Sequence, residues 1–310
     1  MVSGNISQPH MGQKRERIIQ TGFQIKKHDF TCNNRMEKTI RCGKHQLTLE
    51  RTIIMGVLNV TPDSFSRDGI YADTDQALEH AKRMVKEGAD IIDVGGESSR
   101  PGSEPISVEQ ELERVWPVIS QLLAEADVPI SIDTYKPEVA RVCLKMGAHM
   151  VNDITGLADR RMMDTVAQYG VPAVIMHMKG SPKSMQQEPK YGDVVNEVKA
   201  YLKERADAAK KAGIKDVIID PGIGFGKTTE HNLQLIKRLA EFKTLGCPVL
   251  IGPSRKSFIG DVTGLPVNER LEGTLAAVAV SIMNGANIVR VHDVLQVKRA
   301  AQVADAIRGA

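Results

Sequence analysis

The sequence predicts an α/β fold: a closed (β/α)8 TIM barrel with an N-terminal extension. Three observations lead there. Eight short apolar runs recur from residue 52 onward, amphipathic stretches separate them, and a glycine often stands just before the next run. Short, fully apolar strands alternating with helices describe a parallel sheet covered by helices. Eight such units in about 260 residues suit a closed barrel. An open doubly wound sheet would carry a glycine-rich dinucleotide loop after its first strand, and MGVLNVTPDSF is not one.

Residues 1–45 come first and are polar, with no sustained period. They read as an extension, with residues 46–310 as the catalytic barrel domain. The tract is open to three readings: a flexible arm, a start codon read upstream of Met36, or, less favoured, a basic targeting tail. Within RCGKHQLTLERTII, short apolar positions allow a small hairpin leading into the first barrel strand.

The eight strands are expected at Thr52–Leu58, Ile91–Val94, Ile130–Ile132, Met150–Val151, Ala173–Met176, Val217–Ile219, Val249–Ile251 and Ile288–Val291. In KEGADIID, KMGAHMVND, KAGIKDVIID and MNGANIVRV the glycine ends a helix in the left-handed conformation, and the chain turns at once into a strand. Val194, Val198, Tyr201 and Leu202 share one helix face, as do Leu271, Leu275, Val278 and Ile282. Pro117 predicts a kink or break beside Trp116, and Trp116 itself reads as a core anchor.

Composition sets the remaining bounds. The chain has 310 residues, 42% of them hydrophobic and only 4% aromatic, so the core is built from aliphatic side chains and base-stacking surfaces are disfavoured. Net charge is +3, yet residues 1–45 hold nine Lys or Arg against three Asp or Glu, which leaves the body at −3. A nucleic-acid surface on the body is therefore not indicated. No apolar stretch has the length of a membrane span or a secretory signal, so no membrane partner and a cytoplasmic location are expected. Cys32, Cys42, Cys143 and Cys247 have no metal-ligand spacing and read as reduced thiols.

In a barrel, the loops after the C-terminal strand ends form the active face. Those ends carry Asn59; Asp93, Glu97, Ser98, Ser99 and Arg100; Asp133; Asn152 and Asp153; His177; Asp220; SRKS; then Arg290 and His292. Asp153 and Asp293 have a plainer alternative as helix caps. Arg100, Lys256, Arg290 and His292 can gather around an anion, and Asn59 can offer oxygen to a hard cation such as Mg²⁺. Asp133, Asn152 and Asp220 suit a flat heterocycle with amino and oxo edges. Cations on the last two strands, where barrels often hold phosphate, point to a phosphorylated heterocyclic substrate. Lookalikes fail: Pro221 stands where a Walker A loop needs glycine before Gly226-Lys227, and neither HExxH nor GxSxG occurs.

The segments MGVLNVTPDSFSRDG, DVGGESSRPGS, SIDTYKPEVA, NDITG, DPGIGFGKTTEHN, GPSRKSFIG and RVHDV, in this order from about Ile53 onward, resemble the dihydropteroate synthase family of pterin-binding enzymes. The resemblance implies a transferase of the alkyl/aryl type in folate biosynthesis. Such an enzyme joins p-aminobenzoate to 6-hydroxymethyl-7,8-dihydropterin diphosphate and releases pyrophosphate. It implies Asp133, Asn152, Asp220 and Lys256 on the pterin, Asn59 on Mg²⁺, and Arg290 and His292 on the diphosphate. Ser99, Arg100 and Pro101, with Phe225 and Ser257, would surround the aminobenzoate, and the loops 63–66 and 98–102 would close over both substrates. Asp133, Lys256, Arg290 and His292 are the implied catalytic set, Asp133 kept ionised beside the ring. A homodimer through C-terminal helices is also implied, as is membership of an enzyme class that sulfonamides target. Two departures stand out: Ser99 replaces the usual threonine, and Arg67 shifts the first loop from SFSDGG to SFSRDGI. A pterin-binding methyltransferase lacks the diphosphate leaving group, so SRKSF and RVHD speak against it. A non-catalytic homologue would be expected to lose Lys256, Arg290 or His292, and all three are present.

Overall fold

The protein is described from a computed structural model, in which residues 1, 39–61, 70–99, 102–180, 183–185 and 189–310 are described. Its barrel strands are β3 (Ile53–Asn59), β4 (Ile91–Gly95), β5 (Ile130–Asp133), β6 (Met150–Asp153), β7 (Ala173–Met176), β8 (Val217–Asp220), β9 (Leu250–Ile251) and β10 (Ile288–Val291). They pair in parallel in the order β8-β7-β6-β5-β4-β3-β10-β9. A bridge between Ile219 and Val249, with Ile219 N donating to Pro248 O at 2.9 Å, joins the two ends and closes the barrel. All eight strands lie where the apolar runs placed them, to within two residues at either end.

The expected hairpin is β1 (Thr39–Cys42) and β2 (His45–Thr48), paired antiparallel. The boundary drawn at residue 45 falls inside it. Ile40, Cys42 and Leu47 pack with Ile53, Met55, Ile91, Met150, Val174, Ile218, Leu250 and Ile288, so the hairpin plugs the N-terminal end of the barrel. Those barrel residues alternate with Ile54, Ile92, Val151, Ile175, Ile219, Ile251 and Val289, which pack outward with the helices. Seven of the eight strands are thus apolar on both faces, which explains runs without polar alternation, while β5 turns the buried Ser131 inward.

The covering helices are α1 (Ile70–Glu87), α2 (Val108–Glu125), α3 (Pro137–Met146), α4 (Arg160–Tyr169), α5 (Val194–Lys211), α6 (Thr229–Lys237), α7 (Ser257–Thr263), α8 (Leu271–Met283) and α9 (Val294–Gly309). Helix α3 stops at Gly147, whose φ of 114° is the left-handed form that the glycine pattern predicted. On α2, neither the break at Pro117 nor the core role of Trp116 is found. The helix runs unbroken through Pro117, because the carbonyl of Glu113 that loses its donor lies on the exposed side, while Val115, Val118, Ile119 and Leu122 bury the other. Trp116 consequently faces solvent, 51% exposed, and anchors no core.

Among the described residues, no helix is long and apolar enough to cross a membrane. Cys42, Cys143 and Cys247 are buried free thiols, and Cys32 lies outside the described residues.

Candidate active site

One rule of geometry builds the site. Side chains two residues apart on a strand point to the same face. Two residues beyond the inward apolar layer, the same strands carry different chemistry: Ile91 leads to Asp93, Met150 to Asn152, Ile218 to Asp220 and Ile288 to Arg290. On β5, Ser131 leads in the same way to Asp133. The polar ring therefore sits about 6.5 Å above a dry plug, at the C-terminal end of the barrel.

Arg290 ties this ring together. Its Nε donates to Asp93 Oδ2 at 2.6 Å, and one terminal nitrogen donates to Asp133 Oδ2 at 2.5 Å. Asn152 Nδ2 donates to the same Asp93 oxygen at 2.9 Å. Burial works against the Arg290 charge, but Asp93, Asp133 and Asp220 outweigh it and hold the guanidinium firmly protonated. Burial also lifts Asp133 well above an ordinary carboxylate; Arg290 opposes the lift and Asp93 adds to it. The resemblance had this carboxylate simply ionised, whereas here its charge depends on Arg290.

Asp220 is buried and pushed up to about 6, mainly by burial, against the hydrogen bond it accepts from Gly222 N at 2.7 Å. Lys256, placed just before α7, is pushed down to about 8 by burial and by Arg290, while Asp220 and Asp133 hold it up. Its Nζ lies 4.1 Å from the centre of the Phe225 ring and makes no hydrogen bond among the described residues. The ammonium is thus available to a ligand, with an aromatic face behind it. Phe225 packs with Ile154, Met176 and Met185, with Tyr135 and Met178 at the margin, which gives the mouth one apolar wall. Ser254 Oγ meets His292 Nδ1 at 3.0 Å and fixes the imidazole at the end of β10.

The loop after β4 is tied down by charge. Glu97 accepts from Tyr135 Oη at 2.7 Å and from Ile106 N at 3.1 Å, and Lys136 bridges Glu97 to the buried Glu111. Ser99 lies half-buried on this loop, away from the Arg290 cluster's hydrogen bonds, and Ser257 is exposed at the start of α7. Asn59 ends β3, half-buried and in register with Gly95. Arg100, Pro101, Arg67 and the loop 63–66 lie outside the described residues. Of the two carboxylates with a capping alternative, Asp153 holds its own loop, accepting from Thr155 N, Thr155 Oγ1 and Leu157 N. Asp293 precedes α9 but makes no side-chain cap; it pairs with Arg255 and so links two site loops.

Structure adds residues to which the strand-end reading gave no role. Asp93 was visible as a strand-end carboxylate, but only the inward register shows it beneath Arg290. Lys136 and Glu111 carried no local signal, since they meet across separate elements. The assembled site combines a buried cation among carboxylates, an amide, a free ammonium over an aromatic face, and an apolar wall. It can grip a planar polar heterocycle at its centre and an anion at its rim.

Comparison with known proteins agrees in kind. A family model described as Pterin binding enzyme matches residues 55–292. The dihydropteroate synthase of Escherichia coli strain K12 is 47% identical over 262 residues, spanning 84% of this chain and 93% of that protein. The structure of Xanthomonas albilineans dihydropteroate synthase with 4-aminobenzoic acid superposes with a TM-score of 0.83 at 44% identity, covering 88% of this chain and 99% of the other. The same enzyme in complex with 7,8-dihydropteroate gives 0.80 at 42% identity, covering 88% and 99%.

Proposed function

This chain belongs to the family of pterin binding enzymes, and from that premise we propose that it works as its dihydropteroate synthase relatives do. It condenses p-aminobenzoate with 6-hydroxymethyl-7,8-dihydropterin diphosphate, giving 7,8-dihydropteroate and pyrophosphate. The observation that carries this reading is the Arg290 cluster: a charged, hydrogen-bonded ring one strand step above an apolar plug, with a free lysine beside it.

The residue roles are assigned as follows. Asp133, Asn152 and Asp220 take the amino and ring N–H edges of the pterin, and Lys256 donates to an acceptor of the ring. Arg290 uses its remaining N–H groups toward the diphosphate, beside His292. Ser99, Arg100, Pro101, Phe225 and Ser257 surround the aminobenzoate. As the bond between the pterin methylene and the diphosphate breaks, negative charge grows on the leaving group and positive charge on the pterin. Arg290 stabilises the first, while ionised Asp133 and Asp220 stabilise the second. The attacking aromatic amine is neutral near pH 7, so the site needs no strong base and acts by placement and electrostatics.

A divalent cation, assigned as Mg²⁺, fits the donors present. Among the described residues no three His, Cys, Asp or Glu side chains gather as a metal cage. A lone amide oxygen at Asn59 suits a hard cation that takes its other ligands from phosphate and water. When bound, the ion would neutralise charge on the diphosphate. The same chain is assigned as a cytoplasmic homodimer. Val262, Leu265, Val267, Val280, Met283, Val303 and Ile307 are exposed on α7, α8, α9 and the turn between, an apolar face that a second copy would cover.

The test mixes protein, Mg²⁺, p-aminobenzoate and the dihydropterin diphosphate, and follows pyrophosphate and dihydropteroate. Lys256→Ala and Arg290→Ala are each expected to lower turnover at least a hundredfold with the fold intact. No product from the wild type would overturn the function, and wild-type rates in both variants would overturn the residue roles. Light scattering of a monomer would overturn the dimer.

A further inference from the structure

Lys227 is among the most buried cations of the described chain, 2% exposed, and none of the roles assigned above uses it. Its ammonium donates to His177 Nδ1 at 2.9 Å, to His177 O at 3.2 Å and to Phe225 O at 2.9 Å. An ammonium has three N–H donors, so all are spent on protein atoms and none remains for a ligand. Accepting at Nδ1 also requires neutral His177 with its proton on Nε2, in keeping with an imidazole that burial and the Lys227 charge push down to about 3.

The three bonds join two loops of the site, the tip after β7 and the segment Pro221–Thr228 after β8. These loops touch through backbone. A methyl group on Gly222 would stand 1.9 Å from His177 O, and one on Gly226 would stand 2.3 Å from Lys179 O. Tyr191 Oη adds a hydrogen bond to Gly226 O at 2.8 Å. Between those glycines lies Phe225, whose carbonyl Lys227 holds and whose ring supports Lys256 at 4.1 Å. Burial pushes Lys227 down to about 7, with Asp220 opposing, so the ammonium is held there at a cost that three good acceptors offset.

We infer that Lys227 is a positioning residue that fixes the Phe225 wall and thereby sets the affinity for the aromatic amine substrate. This rests on the functional reading above. Three of the pterin groups, Asp133, Asn152 and Asp220, sit on strands that Lys227 does not bond, and the fourth, Lys256, meets Phe225 only through the ring face. The aminobenzoate wall, in contrast, hangs on a loop whose carbonyl Lys227 holds. Without the ammonium, two carbonyls and an imidazole nitrogen would face one another unpaired, and the loop carrying Phe225 would move to relieve them.

The test is steady-state kinetics on Lys227→Met, which keeps the side-chain length and removes the donors. The KM for p-aminobenzoate is expected to rise at least tenfold, with the KM for the pterin diphosphate within threefold of wild type. In a Phe225→Ala background, adding Lys227→Met is expected to move the aminobenzoate KM less than twofold, because the wall is already gone. An aminobenzoate KM within twofold of wild type, an equal rise in both KM values, or penalties that multiply in the double variant would each overturn the inference. If Lys227→Met does not fold, His177→Ala removes one of the three acceptors and is judged by the same criteria. A wild type that makes no dihydropteroate would instead remove the functional reading, and this inference with it.

Discussion

Asp93→Asn is the sharpest probe of the Arg290 cluster, since it removes one charge and almost no volume. Asp93 is fully buried, and one of its oxygens accepts from both Arg290 Nε and Asn152 Nδ2 at 2.6 and 2.9 Å. Its other oxygen, Oδ1, has no hydrogen-bond partner among the described residues. An asparagine that keeps its oxygen on Arg290 must point its NH₂ into that unpartnered position. A buried donor left unsatisfied costs about 1–3 kcal/mol. The bond to Arg290 also loses its charge assistance, worth about 1 kcal/mol. Arg290 keeps Asp133, so the larger penalty of stranding a buried charge is avoided. Together these give a loss of about 2–4 kcal/mol in stability. Urea unfolding would read it directly. Turnover would fall about a hundredfold, because the guanidinium loses the anchor that orients it. A variant within about 0.5 kcal/mol of wild type and within twofold in kcat would refute the idea that Asp93 sets Arg290.

Three other outcomes follow from the same structure. The value of kcat/KM for the pterin substrate is expected to fall below pH about 7 and above pH about 8. Asp133 and then Asp220 become neutral as pH drops through their raised values, and Lys256 loses its charge as pH rises through its lowered one. A profile flat from pH 5 to 9 would contradict these assignments. Gly222→Ala places a methyl 1.9 Å from His177 O at a φ of +71°, so the β8 loop must shift; turnover is expected to drop more than tenfold, measured at saturating substrate. Leu47→Ala removes a buried contact of the hairpin plug far from the polar ring. It is expected to cost about 2–4 kcal/mol in urea unfolding while kcat stays within threefold.

Much of the barrel was legible because its strands are apolar on both faces, and such runs stand out between amphipathic stretches. Ile91–Gly95 and Val217–Asp220 differ from their sequence assignments by a single residue at the polar end. What failed was local inference about a surface. The charge of Glu113 does place it in water, but proline is read as a helix breaker by type, and Trp116 looks like a core residue by type alone. At the site, Asp133, Asn152, Asp220 and Arg290 were readable as strand ends. The bond from Lys136 to Glu111, or from Lys227 to Phe225 O, joins residues whose meeting is decided by tertiary packing. Lys227 was visible in a failed nucleotide-binding motif and in the segment DPGIGFGKTTEHN, with no role of its own in either.

Core and site are the same strands read one step apart, and this couples them. Sliding any one strand by a single residue would turn its polar side chain into the helix layer and its inward aliphatic residue away from the plug. Ile288 pairs with Ile53 and Ile91 with Met55, so dry packing below fixes the register that brings Asp93 under Arg290 above. The cluster in turn penalises slippage, because Arg290 would leave two carboxylates unpaired. A net charge of −3 on the body does not reveal this capacity for anions. What matters is that Arg290 stands on the inward register of the last strand and Lys256 on the loop between β9 and α7, where the plug excludes water from below and the open mouth admits the substrate from above.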